Sequence, residues 1–319
     1  MNKGFALPLT AAMLLYACNV NLLQPATPTL PLDRESLIPT SQIKITPEMD
    51  IYPPKSETSA YADPIPLPYP VNTAGGEDSA FITPDGNTLY VWFTPDVSNP
   101  VEKQVTDGVT GIYVFHKIGT GWSNAMRVLL QDPGKLALDG CEFVQGNIMW
   151  FCTVREGFTG IHWFTAHLEN GVWQDWTEAN FDPAYEVGEL YITADGSELY
   201  FHSSRPGGLG GYDIWVSRNV GGHWQQPENL SAVNSPHTEG WPFVSEDGTE
   251  LWFTRSIGAP ELYRSKSING KWSAPEKMFT VFSSESSTDN AGNGYFSHHF
   301  FKDDVMLEAD IYVAHRISP

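Results

Sequence analysis

The sequence predicts an all-β fold, a five-bladed β-propeller closed by an N-terminal outer strand, and three observations predict it. The 319 residues carry 28 Gly and 24 Pro with 13% aromatics, a turn-rich and well-packed composition unlike that of a helical bundle. A Gly-x-Trp start recurs as Gly121-Trp122, Gly171-Val-Trp173, Gly222-His-Trp224 and Gly270-Lys-Trp272, with the tryptophans at steps of 51, 51 and 48 residues, close to the period of one propeller blade. A short apolar strand precedes each start, at Gly111 to Val114, Gly160 to Trp163, Asp213 to Val216 and Glu261 to Arg264, and a fifth copy, Asp310 to Val313, lies near the end of the chain.

The first sixty residues read as an address and a tether. Lys3 precedes the apolar stretch Gly4 to Ala17, so residues 1–17 read as a secretory signal. Leu15-Tyr16-Ala17-Cys18 resembles a bacterial lipobox, which makes Cys18 the lipidated first residue; ordinary secretion is the alternative. Residues 18–60, rich in Pro, Ser and Thr, read as an extended linker of poor order, and residues 61–319 as the propeller. No apolar run long enough to span a bilayer occurs after the first twenty positions. The expected location is the cell envelope or cell surface, with membrane contact through the lipid anchor alone.

Hairpins of the form strand, Asp-Gly, strand precede the third strands at Asp85-Gly86, Asp195-Gly196 and Asp247-Gly248, and Gly146-Asn147 replaces the turn in the second repeat. Cys141 and Cys152 are symmetric about that turn, so a hairpin there sets them directly opposite each other, within reach of a disulfide; two buried free thiols are the alternative. Third strands number five and Gly-x-Trp fourth strands four. Tyr61-Ala-Asp-Pro64-Ile-Pro-Leu67 aligns with Trp224-Gln-Gln-Pro227-Glu-Asn-Leu230, and Val71-Asn72 with Val233-Asn234. The N-terminal segment therefore supplies the missing outer strand and closes the ring. An insertion from Pro95 to Thr110 is expected to cover one face.

Thr193-Ala-Asp195-Gly-Ser-Glu-Leu199-Tyr-Phe201, the run on to Asp213-Ile-Trp215, and Trp224-Gln-Gln-Pro227-Glu-Asn-Leu230 resemble the TolB-type, WD-like propeller repeat. The resemblance spans about 259 residues and implies the fold, an exported protein and a tendency to bind partners. It does not imply a reaction, because propellers host binders and enzymes alike.

The formal charge of −20 excludes nucleic acid and disfavours anionic membrane surfaces, leaving cationic groups and neutral ligands such as sugars. Acidic residues recur where the inner strands begin: Glu77, Asp139, Glu186, Glu239 and, in the fifth repeat, Asp289. Inner strands line the axial channel, so these carboxylates, with Asp78, Glu142 and Glu189, are expected to converge at one mouth as a ligand or cation site. The alternative is that each accepts backbone hydrogen bonds from a neighbouring blade. Arg155 and Arg205 end equivalent second strands and either pair with acids or hold a substrate carboxylate.

The first functional reading is an extracytoplasmic ligand- or protein-binding module, a monomer whose partner is a glycan or an envelope protein. The second is a glycoside hydrolase or polysaccharide lyase with Asp78, Glu142 and Glu189 as its carboxylates. No cofactor is specified; a divalent cation is the one the acidic mouth would take. His237, His298 and His299, with Asp289, form a further metal-site reading. Gly-x-Ser-x-Gly and His-Glu-x-x-His are absent, which lowers serine-hydrolase and zinc-protease readings. Gly207 to Gly211 leads from strand to strand and reads as a hairpin loop, and the repeated tryptophans as packing residues.

Overall fold

The computed structural model describes residues 33–179, 181 and 187–317; the signal segment, Cys18 and Glu186 lie outside the described residues. The chain is nearly all β, 49% strand and 3% helix, in several curled sheets consistent with a β-propeller. Three sheets are built from consecutive antiparallel strands within residues 137–179, 190–229 and 238–277. A fourth combines residues 76–127 with 283–314, its two parts joined by one parallel bridge between Gly76 and Ala309.

The expected closure by the N-terminal segment is found. Ile65 and Pro66 pair antiparallel with Val313 and Tyr312, and Tyr61 bridges Arg316. Asn72 then clamps the last strand: its Nδ2 donates to the Ile311 carbonyl and its Oδ1 accepts the Ile311 N–H, each at 2.9 Å. Asn234 does the same to Ile214, both bonds at 2.8 Å. One sequence device thus fastens both an internal repeat and the joint between the two chain ends.

Within the hairpins, Asp85, Asp195 and Asp247 are turn residues. Each carboxylate accepts from the Thr or Ser two residues before it and from the N–H two residues after it, at 2.6 to 3.1 Å, while Gly86, Gly196 and Gly248 take the left-handed conformation at φ 69 to 71°. In the loop from Gly207 to Gly211, the Leu209 and Gly210 N–H groups donate to Asp213, and a Cβ at Gly210 would lie 1.6 Å from the His237 carbonyl oxygen. The outer strands break after Trp224 and Trp272, where Pro227 and Pro275 lack an N–H for the ladder. Trp122 and Trp173 are buried and Trp224 and Trp272 pack against the core from its rim. The insertion from Pro95 carries the short helix Val101–Gln104, and Val105 packs with Trp92 and Leu138 in a small apolar cluster.

Residues 33–60 depart from the expected linker. They run as a strap over the first and last repeats because buried charges there are matched by charges on the strap. Arg34 bonds Glu77 and the Pro70 and Val71 carbonyls, Lys44 holds Glu308 and Asp310, and Asp50 meets His298 at 2.8 Å. Tyr52 packs on Phe282.

Candidate functional site: an axial cavity lined by carboxyl groups

The innermost strands share a local defect. In Gly76–Ile82, Ala137–Gln145, Thr238–Val244 and Ser283–Thr288 the ladder slips by a residue at a β-bulge. At each bulge a non-glycine residue takes positive φ: Ser79 (53°), Cys141 (56°), Trp241 (53°) and Glu285 (46°). That conformation is costly for a residue with a Cβ; its recurrence means the bulge is part of the repeat's design, where it turns side chains toward the axis. It also corrects the expected opposition of the two cysteines. Gln145, Val144 and Phe143 pair with Ile148, Met149 and Trp150 as a hairpin at Gly146-Asn147 requires, but beyond the bulge Cys152 faces Gly140. A disulfide still joins Cys141 to Cys152, with Cα atoms 5.4 Å apart.

Before the bulge lie three of the acids expected to ring the mouth, Glu77, Asp139 and Glu239, and each has a cation of its own. Glu239, fully buried, accepts from the Ser235 N–H at 3.0 Å and from Arg255 Nε at 2.7 Å, while Arg255 also bonds the Val233 carbonyl. Asp139 accepts from Thr153 Oγ1 at 2.6 Å and from Arg155 at 3.0 Å. In the first repeat Phe93 stands opposite Glu77, where Arg255 stands opposite Glu239. The cation comes instead from the strap: Arg34 bonds Glu77 at 3.2 Å and the Val71 carbonyl at 2.8 Å, with its guanidinium over Phe93 and Phe115. Burial raises the Glu77 pKa, and Arg34 works against that. An arginine bonds each of these carboxylates; the approach loop adds donors to Glu77 and Glu239, and Thr153 of the adjacent strand adds one to Asp139. Arg155 is spent on Asp139, and Arg205 lies buried over Phe201 and Trp215.

Two expected placements are corrected. Asp289 is not at an inner-strand start: it sits at the opposite end of its strand, where its carboxylate accepts the Asn293 N–H at 2.9 Å in a turn, and Ser283 takes the position equivalent to Glu77. The serine-rich run Ser283 to Thr288 lacks the apolar landmarks that aligned the other repeats. The histidines do not converge either. His298 and His299 are neighbours on one strand and so face opposite ways: His298 meets Asp50, and His299 Nε2 lies 3.2 Å from Asp78 Oδ2. His237 is exposed on a loop. Among the described residues no three His, Cys, Asp or Glu side chains lie together as metal ligands.

Glu142, one residue past its bulge, Glu285, at its own, and Glu189 line a cavity of about 50 Å³ on the axis, together with Ser79, Cys141 and Trp241. Glu142 is 5% exposed, and among the described residues no other residue hydrogen-bonds either of its carboxylate oxygens. Glu285 accepts from Ser79 Oγ. Burial drives the Glu142 and Glu285 pKa values well up, helped by the neighbouring carboxylates, and burial with the Asp78 charge carries Glu189 to about 8. Asp78 goes the other way: burial opposes its charge, but His299 and hydrogen bonds from Ser297 and the Ser79 N–H outweigh it and hold the carboxyl below its usual value. Glu285 is the functional candidate that the sequence reading missed. Its signal is the lone acid in a run of serines, at the same distance before the turn as Ser79, Cys141 and Trp241.

Below the cavity, Phe81, Phe143, Tyr191 and Phe243 form a belt of rings, with successive centroids 6.4, 5.1 and 4.8 Å apart. Behind Glu189, His202 is buried between Gly188 and Gly240, accepts the Trp241 N–H at 3.3 Å and is pushed by burial down to about 4.

No family model and no curated protein matches the sequence. Solved structures resemble it at low identity. They include an endo-arabinase from Bacteroides thetaiotaomicron (14% identity, 80% of this chain and 95% of that one, TM-score 0.47). TolB from Acinetobacter baumannii gives 13%, 77%, 56% and 0.41 for the same measures, and a gluconolactonase, XC5397 from Xanthomonas campestris, gives 12%, 83%, 94% and 0.44.

Proposed function

We propose that the chain is an exported, lipid-anchored, five-bladed propeller that acts as a binding module, receiving a cationic group of an envelope-protein partner at one mouth of its axial channel. Dividing the largest sheet at its single parallel bridge gives five strand groups, and each sends one inner strand to the axial cavity. The observation that carries the reading is Glu142: a carboxyl group 5% exposed, without a hydrogen-bond partner in another residue among the described residues, beside Glu189 and Glu285, in a chain that gives Glu77, Asp139 and Glu239 an arginine each. A cavity of about 50 Å³ admits a few waters or one ammonium group, and falls short of the roughly 300 Å³ at which small-molecule pockets begin.

The test is calorimetric titration of the mature domain with a lysine-rich peptide at pH 7.5. Binding should weaken by roughly tenfold or more in a variant carrying Glu142→Gln, Glu189→Gln and Glu285→Gln, and it should release protons, because a bound cation favours the ionised carboxylates. No binding by the native protein, or binding indifferent to the three substitutions, overturns the reading. Calcium titrated in place of the peptide separates a metal ion from an ammonium group.

One observation favours a second reading. Asp78 is held ionised while Glu142 and Glu189 are held protonated, the division of labour that glycoside hydrolysis demands of its base and its acid. Turnover on a polysaccharide panel that disappears in Glu142→Gln and Glu189→Gln would establish it. An inactive native protein would remove it for those substrates.

A further inference from the structure

On the other side of the aromatic belt the channel widens into a second chamber of about 300 Å³, at the size where small-molecule sites begin. Its walls mix apolar and polar groups, with Phe81, Tyr191 and Phe243 at the belt, Ile82, Val144 and Ala194 toward the turns, and Gln145, Glu246 and Thr288 among them. Gly146, Ala194 and Glu246 at its rim are exposed, so it opens to solvent at the end opposite the paired acids.

Four polar groups from four repeats reach this chamber with hydrogen-bonding capacity to spare. Tyr191 and Thr288 are 6% and 5% exposed, and their hydroxyls make no hydrogen bond among the described residues. The Gln145 amide donates to the Ile192 and Thr193 carbonyls, which fixes its orientation and leaves its own oxygen open. The Glu246 carboxylate has no cation and no hydrogen-bond donor among the described residues, and together with burial its charge raises the pKa of Tyr191. Two of the four groups can only accept and two can do either. The vacancy is therefore for a donor, and the carboxylate with aromatic walls favours a positive one.

We infer that this chamber is a binding site for a small organic amine: an ammonium group held by Glu246, Gln145, Tyr191 and Thr288, carried on an apolar body that packs against the rings of Phe81, Tyr191 and Phe243. An anion is opposed by Glu246 and by the net charge of −20. The site is separate from the carboxyl cavity above the belt and stands or falls without it.

The probes are phenethylamine and its neutral counterpart 2-phenylethanol, titrated calorimetrically into the mature domain. Phenethylamine should bind and the alcohol should bind at least tenfold more weakly. Glu246→Gln, on an exposed side chain whose loss leaves the fold intact by circular dichroism, should cost the amine roughly tenfold in affinity. Thr288→Val and Tyr191→Phe should each cost a smaller factor, while Glu142→Gln should change nothing. Absence of binding by the native protein, equal binding of the alcohol, or amine binding unchanged by Glu246→Gln each overturns the inference.

Discussion

Two sets of carboxylates stand on the inner strands around the axis, Asp139 and Glu142 on one and the same strand, and are treated in opposite ways. Glu77, Asp139 and Glu239 are fully buried, and each is bonded to a guanidinium. Glu142, Glu189 and Glu285, which line the axial cavity, have no Lys or Arg bonded to them among the described residues. The first set shows that this fold can neutralise an acid at the axis when the acid serves only the fold, even by bringing Arg34 from the strap. The second set is then an exception that stability does not explain, since burying a carboxyl without a partner carries a cost.

Breaking the first set should do the most damage. Arg255→Ala or Arg34→Ala leaves a buried carboxylate unpaired and should cost roughly 3 to 5 kcal/mol in denaturant unfolding; losses below about 1 kcal/mol would mean that these pairs do not hold the fold. Replacing the acids themselves sharpens the contrast. Glu239→Gln should destabilise by about 2 kcal/mol, because the Arg255 charge is left buried, whereas Glu142→Gln should be neutral or stabilising. Equal losses at the two positions would erase the distinction between the sets.

Acidity separates them further. Glu189, at about 8 in the folded protein and near 4.3 when unfolded, binds its proton more tightly in the native state. Its stabilising effect is complete below the unfolded value and is lost as pH rises through the folded one. His202 acts at lower pH: held near 4 against about 6.5 unfolded, it costs stability as pH falls below 6.5. The two effects oppose each other below pH 6.5, and above it only the Glu189 loss remains, so the melting temperature should fall by roughly 3 °C or more between pH 6.5 and 8.5. The triple glutamine variant should flatten that upper limb, and a native protein with no such limb would contradict the assignment. Asn72→Ala and Asn234→Ala should cost about 1 to 2 kcal/mol each. Closely matched losses would show that the joint between the chain ends is built like an internal one.

Much of the architecture was legible because repetition compares the chain with itself. The Gly-x-Trp spacings, the Asp-Gly turns and the alignment of Val71-Asn72 with Val233-Asn234 led to the strand order and to the closing pair Ile65 and Val313. The site was legible in half. Glu142 and Glu189 were named by their place on inner strands, but in the fifth repeat Asp289 was named and Glu285 went unconsidered, because that repeat lacks the landmarks that set register. The strap was misread because its ordering depends on partners more than 200 residues away, such as Glu308 for Lys44 and His298 for Asp50.

Local sequence determined what local chemistry can specify: alternating strands, turns closed by an Asp and a Gly, and a period that bends the sheets around an axis. Tertiary structure alone decided which acids meet a cation. A carboxylate's partner is set by which distant segment passes within about 3 Å of it, and neither pattern nor propensity along the chain encodes that distance.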